Sequence, residues 1–149
     1  MSLRIKATLT DIVSADVDLV VTSARIPGLA SEQLPVARSE DGIVFESPID
    51  WRPRYVVRAD AGHWQQSGAH DYLRARWYRT GLGFADQLTL RRVGFATGAD
   101  DPGVWPLDDW VRLALTTLRG TPTSVTDVVF CCPSPGGVEA FAAGIVRTN

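Results

Sequence analysis

Residues 3–23 read LRIKATLTDIVSADVDLVVTS, and the architecture follows from how this stretch divides. Leu3–Leu9 reads as a strand. Val17–Ser23 is a continuous apolar run, the mark of a strand buried on both faces. Working outward, Gly42–Glu46 and Arg54–Arg58 read as strands joined by a turn through Pro48 and Pro53, and Val93–Thr97 and Val125–Cys132 as two more. Elsewhere the period becomes helical. Leu73, Trp77, Gly81, Phe84 and Leu88 form a stripe within Asp71–Leu88. Leu107, Trp110, Val111, Ala114, Leu115 and Leu118 mark a second amphipathic helix, with Asp108 and Asp109 in its first turn. Ser134 is placed to cap a third, with Pro135 in its first turn and Val138, Phe141, Ala142, Ile145 and Val146 as its buried face. The segment from Arg25 to Asp41, broken by Pro27, Gly28 and Pro35, reads as irregular with at most a short helical turn.

Strands alternating with helices predict a single α/β domain over residues 1–149, a three-layer α/β/α arrangement around a mostly parallel sheet. Ligands of such sheets bind beyond the carboxyl ends of the central strands, which singles out the segments after Ser23, Thr97 and Cys132.

Composition excludes several classes of function. The 149 residues suit one domain, and 45% apolar with 21% charged residues is the composition of a folded globular chain. A net charge of −2 lacks the basic footprint of a nucleic-acid binder. No apolar run approaches the roughly 20 residues of a membrane span, and MSLRIKATLT does not read as a secretory leader. Cys131 and Cys132 are the only two cysteines; adjacent, they are too cramped for an ordinary disulfide and unlike a zinc pattern. The expectation is a cytoplasmic protein with neither nucleic acid nor membrane as partner.

The chain resembles a macro domain, the module best known for binding ADP-ribose. IKATLTDIVSADVDLVVTSA, from Ile5 to Ala24, is similar to that family's strand, Asp-Ile turn and V-D-A-I-V-N-A-A strand. GIVFESPIDWRPRYVVRADAGHW, from Gly42, resembles its G-x-A-x-x-T-x-G-Y-x-L-P-x-K-Y-V-I-H segment. The later helices and the strand VTDVVFCC follow in the family's order.

The resemblance carries roles onto particular positions. Asp11 falls where the family's aspartate accepts a hydrogen bond from the adenine amino group, and Ile12 where the neighbouring backbone helps. In the N-A-A-N motif the first asparagine becomes Thr22, followed by Ser23, and the last becomes Arg25, so the hydrolytic arrangement of catalytic members is absent. Arg25 is suited to grip a phosphate or carboxylate bidentately. RIPGLASEQLPVARSED, much shorter than the family's glycine-rich loop and helix, keeps one useful glycine, Gly28.

The second phosphate loop, S-T-G-V-Y-G-Y-P in the family, corresponds to ADDPGVWP, Ala99–Pro106. Asp100 and Asp101 replace a threonine and a glycine, Pro102 removes a backbone donor, and Gly98 and Gly103 keep the loop flexible. Each carboxylate repels a diphosphate by about 1 to 4 kcal/mol at contact. A micromolar affinity is worth only about 8 kcal/mol, so the usual ADP-ribose pose is disfavoured. The family's stacking aromatic near the end of the last strand becomes Pro133.

Other constellations have ordinary explanations beside functional ones. Asp100 and Asp101, with Asp60 or His63, carry oxygen donors for a hard cation, but without a second motif they read as loop-solvating or capping residues. His63 and His70 read as loop histidines rather than a general base. Trp77 and Trp110 lie on buried helix faces, whereas Trp51, Trp64 and Trp105 fall beside loops, Trp105 next to the expected ligand. Cys131 and Cys132 read as packing residues rather than nucleophiles.

The expectation is a non-catalytic macro-domain-like binding module with no cofactor or metal, whose pocket has diverged from ADP-ribose towards another nucleotide-related metabolite. Its candidate ligand-binding residues are Asp11, Ile12, Thr22, Ser23, Arg25, Gly98, Asp100, Asp101, Gly103 and Trp105. The alternatives are an ADP-ribosyl hydrolase or ADP-ribose phosphatase in which Asp100 or Asp101 orients water, and a ligand-free scaffold that binds a protein partner through exposed tryptophans.

Overall fold

A computed structural model describes residues 3–23, 26, 28–30, 32–59, 70–97 and 107–148, apart from the side chains of residues 70–72 and 107–108. Along the chain run β1 (Arg4–Leu9), β2 (Leu19–Thr22), β3 (Ala37–Arg38), β4 (Gly42–Glu46), β5 (Tyr55–Ala59), α1 (His70–Gln87), β6 (Arg92–Ala96), α2 (Leu107–Gly120), β7 (Asp127–Cys132) and α3 (Pro135–Arg147). One sheet has the order β1-β7-β6-β2-β5-β4-β3. The first five of these strands are mutually parallel, and β4 and β3 continue antiparallel. The mostly parallel sheet expected from the sequence is present, and every residue of β2 is buried at its centre.

Strand alternation divides the core into two layers. Leu19, Val21, Val57, Val93, Phe95, Val128 and Phe130 face the helices. Val20, Val56, Val129 and Cys131 face the opposite way, packing with Ala15, Val17 and Ile26. All three described helices lie on the first face: α2 packs between α1 and α3, α1 lies over β6, β2 and β5, and α3 over β1 and β7. The second face is covered by irregular chain, with Ile12, Leu29 and Trp51 at its margins. The layers among the described residues are therefore helix, sheet and loop. Pro35 lies in this irregular chain and is disfavoured in a helix interior.

Helix contacts follow the sequence stripes with informative exceptions. Trp77 and Trp110 are buried core residues, as their spacing predicts. Gly81 brings α1 down onto the sheet: a Cβ there would lie 2.7 Å from Val21 Cγ2 and 2.8 Å from Phe95 Cε1. Ser134 caps α3, its Oγ accepting the Gly137 N–H at 3.3 Å, with Pro135 in the first turn. The buried face expected for α3 is corrected, since Ala142 is exposed and Val146 is 74% exposed. Phe141 and Gly144 are its buried residues, and at Gly144 a Cβ would come within 2.3 Å of Val111 Cγ1, so α3 rotates to bring its backbone against α2.

Candidate functional site

Parallel pairing aligns the carboxyl ends of β1, β7, β6, β2 and β5 along one edge of the sheet. In register across that edge on the loop-covered face lie Thr8, Cys131 and Ala96. Thr22 and Arg58 pair one step further across the sheet.

Asp11 stands just beyond the end of β1. Its Oδ1 accepts the Ser14 N–H at 2.8 Å, closing a turn over residues 11–14, while the carboxylate stays exposed. The turn is braced from the β4–β5 connection, where the Arg52 N–H donates to the Val13 carbonyl at 2.8 Å; that connection is itself closed by the Trp51 backbone N–H donating to the Pro48 carbonyl at 3.0 Å. Asp11 therefore has a capping role of its own, and it also lies close enough to Cys131 for its charge to disfavour the thiolate. Ile12 is half-buried against the loop-side core.

Thr22 is buried at the end of β2 and Ser23, next along, is half-buried. Thr97 fastens the end of β6 to β7, with its N–H and its hydroxyl both donating to the Cys131 carbonyl, at 3.2 and 3.0 Å. The two cysteines point to opposite faces of β7, which explains why neighbours in sequence remain free thiols. Burial, the Cys132 thiol and the Asp11 charge push Cys131 up to about 12, and burial also raises Cys132. Both stay protonated at neutral pH, and neither is an activated nucleophile.

The structure thus brings Asp11, Ile12, Thr22 and Ser23 to one edge. Arg25, Gly98, Asp100, Asp101, Gly103 and Trp105 lie outside the described residues, as do Asp60, His63, Trp64 and the His70 side chain. Among the described residues no three His, Cys, Asp or Glu side chains converge to hold a metal. No described helix is long and apolar enough to cross a membrane.

Arg58 is a residue the motif reading passed over. It is exposed in an otherwise largely buried strand, on the face shared with Val56 and beside Thr22. Its signal was present in the alternation of β5, where a charge interrupts YVVRA near the carboxyl end.

No protein-family model matches the chain. It is 35% identical over 116 residues to a macro domain-containing protein of Streptomyces coelicolor, covering 78% of this chain and 66% of that protein. It is 31% identical over 111 residues to another of Streptomyces nogalater, covering 74% and 59%. The chain thus spans less than two thirds of the length of either relative. Among solved structures, a variant of the Oceanobacillus iheyensis macrodomain with ADPR superposes with a TM-score of 0.78 at 14% identity, covering 95% of this chain and 91% of that one. A Trypanosoma brucei macrodomain in complex with ADP gives 0.71 at 14% identity, covering 95% and 69%. By sequence relationship and fold together, the chain belongs to the macro-domain family.

Proposed function

We propose that this macro domain is a non-catalytic binding module whose crevice has turned from ADP-ribose to another nucleotide-related ligand. The carrying observation is the placement of Asp11, exposed and braced at the end of β1, with an oxygen atom beyond the one that caps Ser14. That oxygen is available to a base amino group. Thr22 and Ser23 carry hydroxyls at the end of β2 on the same edge, with β7 and β6 between.

Structural relatives carrying ADPR and ADP support a nucleotide as the ligand class. Divergence from ADP-ribose is supported by the sequence of the phosphate loop, where Asp100 and Asp101 set two negative charges against a diphosphate. The lack of catalysis is supported by Thr22 and Arg25 in place of the motif's asparagines, and by two cysteines held as neutral thiols.

Thermal unfolding with millimolar ADP-ribose, NAD, AMP or magnesium tests the proposal. A ligand at 100 times its dissociation constant adds about 2.7 kcal/mol, a visible shift for a domain of this size. A shift with AMP exceeding that with ADP-ribose is expected. A dominant ADP-ribose shift, or release of ribose products on incubation, would overturn it.

A further inference from the structure

Two surfaces far apart on this chain are complementary in shape and charge. The first is the tip of the β4–β5 connection. Residues 48–51 form a turn closed by the Trp51 N–H on the Pro48 carbonyl at 3.0 Å, and the Arg52 N–H fastens it to the Val13 carbonyl at 2.8 Å. At its apex Ile49 is 97% exposed, more than any other large apolar residue described, and Asp50 beside it is exposed as well. The two arginines that follow are turned elsewhere: Arg52 pairs with Asp16 at 3.3 Å, and Arg54 lies over the Tyr55 ring at 5.0 Å. The tip therefore presents an isoleucine and a carboxylate on a braced loop, which loses little freedom on binding.

The second surface is a groove of about 440 Å³ between α2 and α3. Buried Val111, Leu115 and Gly144 form its floor, and exposed Arg112 and Arg147 stand at its rim. Arg119 adds a cation at one end, where it donates to the Thr148 carbonyl at 2.9 Å. Asp109 is the one carboxylate in the lining, and it is taken by Arg112. The groove is thus an apolar slot with an excess of positive charge.

Within one molecule the two surfaces do not meet. α3 lies over β1 and β7, whereas the tip joins β4 to β5, with β6 and β2 between. From β7 to β5 is three strand spacings, about 14 Å. The tip is anchored to Val13 and α3 to α2, so neither crosses that distance.

We propose that this chain associates with copies of itself head to tail, the Ile49–Asp50 tip of one molecule seated in the α2–α3 groove of the next. Ile49 enters between Arg112 and Arg147, and Asp50 meets Arg147, because Arg112 already holds Asp109. Charge selects this pairing over a symmetric one: two tips would oppose carboxylates, and two grooves would oppose arginines. Each contact uses different surfaces on its two molecules, so it continues into a ring or an open chain. The inference is independent of what the crevice binds.

Sedimentation velocity tests it, over about 5 to 500 µM, a range suited to a contact smaller than the standard interface. Wild type is expected to be a 16.2 kDa monomer at the low end and to form larger species at the high end, fewer in high salt. Ile49→Ser and Arg147→Glu should each associate at least tenfold more weakly, with thermal midpoints unchanged. Arg79→Glu, exposed on α1, controls for net charge and should match wild type. An equimolar mixture of Ile49→Ser and Arg147→Glu should give dimers and nothing larger, since the groove of the first accepts the tip of the second. A wild type that stays monomeric throughout overturns the proposal, as does association that neither variant weakens or a mixture that stays monomeric. A monomer that instead binds an added acidic, leucine-rich peptide through Arg147 assigns the groove to a different protein and overturns self-association.

Discussion

The Asp11 carboxylate accepts the Ser14 N–H at 2.8 Å, so the residue placed to read a base also closes the turn that carries it. The two roles separate by substitution. Asp11→Ala removes the acceptor and is expected to cost about 1 kcal/mol of stability. Asp11→Asn keeps a carbonyl oxygen for Ser14 but loses the charge. Chemical denaturation should rank the two variants in that order, while both bind AMP more weakly than wild type in calorimetry. Unchanged AMP affinity in both would reduce Asp11 to a turn residue.

Gly81 and Gly83 lie on opposite sides of α1, and their substitutions are expected to have opposite effects. A Cβ at Gly81 meets Val21 and Phe95 below 3.0 Å, whereas at Gly83 nothing lies within 4 Å. Gly81→Ala should therefore destabilise by about 1 to 3 kcal/mol through overpacking. Gly83→Ala should stabilise by about 0.5 to 1 kcal/mol through helix propensity. Thermal midpoints moving in the same direction would contradict the packing described for this helix.

Thr89 ends α1 in a left-handed conformation, with φ of 59°. Its N–H donates to the Asp86 carbonyl at 3.2 Å, and the Leu90 N–H to the Ala85 carbonyl at 2.8 Å, the pair of bonds that glycine ordinarily closes. A β-branched residue there is strained by about 1 to 2 kcal/mol. Thr89→Gly is expected to recover about 1 kcal/mol in urea denaturation, and a loss of stability would contradict the assigned cap.

Some elements of this fold are displayed in the sequence and others are hidden in it. Gly42–Glu46 has the same limits in sequence and structure, and Ser134 caps α3 with Pro135 in its first turn, as the sequence implies. The two-residue β3 has no period to read and exists through its pairing with Ile43 and Val44. Thr89 gave no stop signal because the residue at that cap is not glycine. Arg74 was absent from the apolar stripe of α1 because a charge reads as surface, yet it is 2% exposed. Its guanidinium carbon lies 5.2 Å from the ring of Trp77, one turn along α1, and 4.7 Å from the ring of Trp110 on α2, the second a contact between helices that no local pattern encodes. At the site, Asp11 was legible through its motif. Arg58 showed only as a charge interrupting β5, because its neighbours in register come from other strands.

Tyr78 connects that buried cluster to pH. Its hydroxyl accepts the Trp110 Nε1–H at 2.7 Å, and burial pushes it from 10.0 up to about 12 against the opposing pull of Arg74 and Trp110. The raised value means that the neutral phenol stabilises the fold fully below pH 10. That contribution disappears as pH rises from 10 through 12, because the unfolded chain ionises first. Denaturation across this window should show stability falling with pH in wild type and a shallower fall in Tyr78→Phe. Parallel slopes would contradict the burial of an un-ionised phenol.

The central claim is that the crevice still recognises a nucleotide but no longer prefers ADP-ribose. Calorimetric titration of AMP and ADP-ribose side by side into the wild-type domain tests it most directly. AMP is expected to bind at least as tightly as ADP-ribose. An ADP-ribose affinity in the micromolar range and more than tenfold above that of AMP, a difference of about 1.4 kcal/mol, would contradict it.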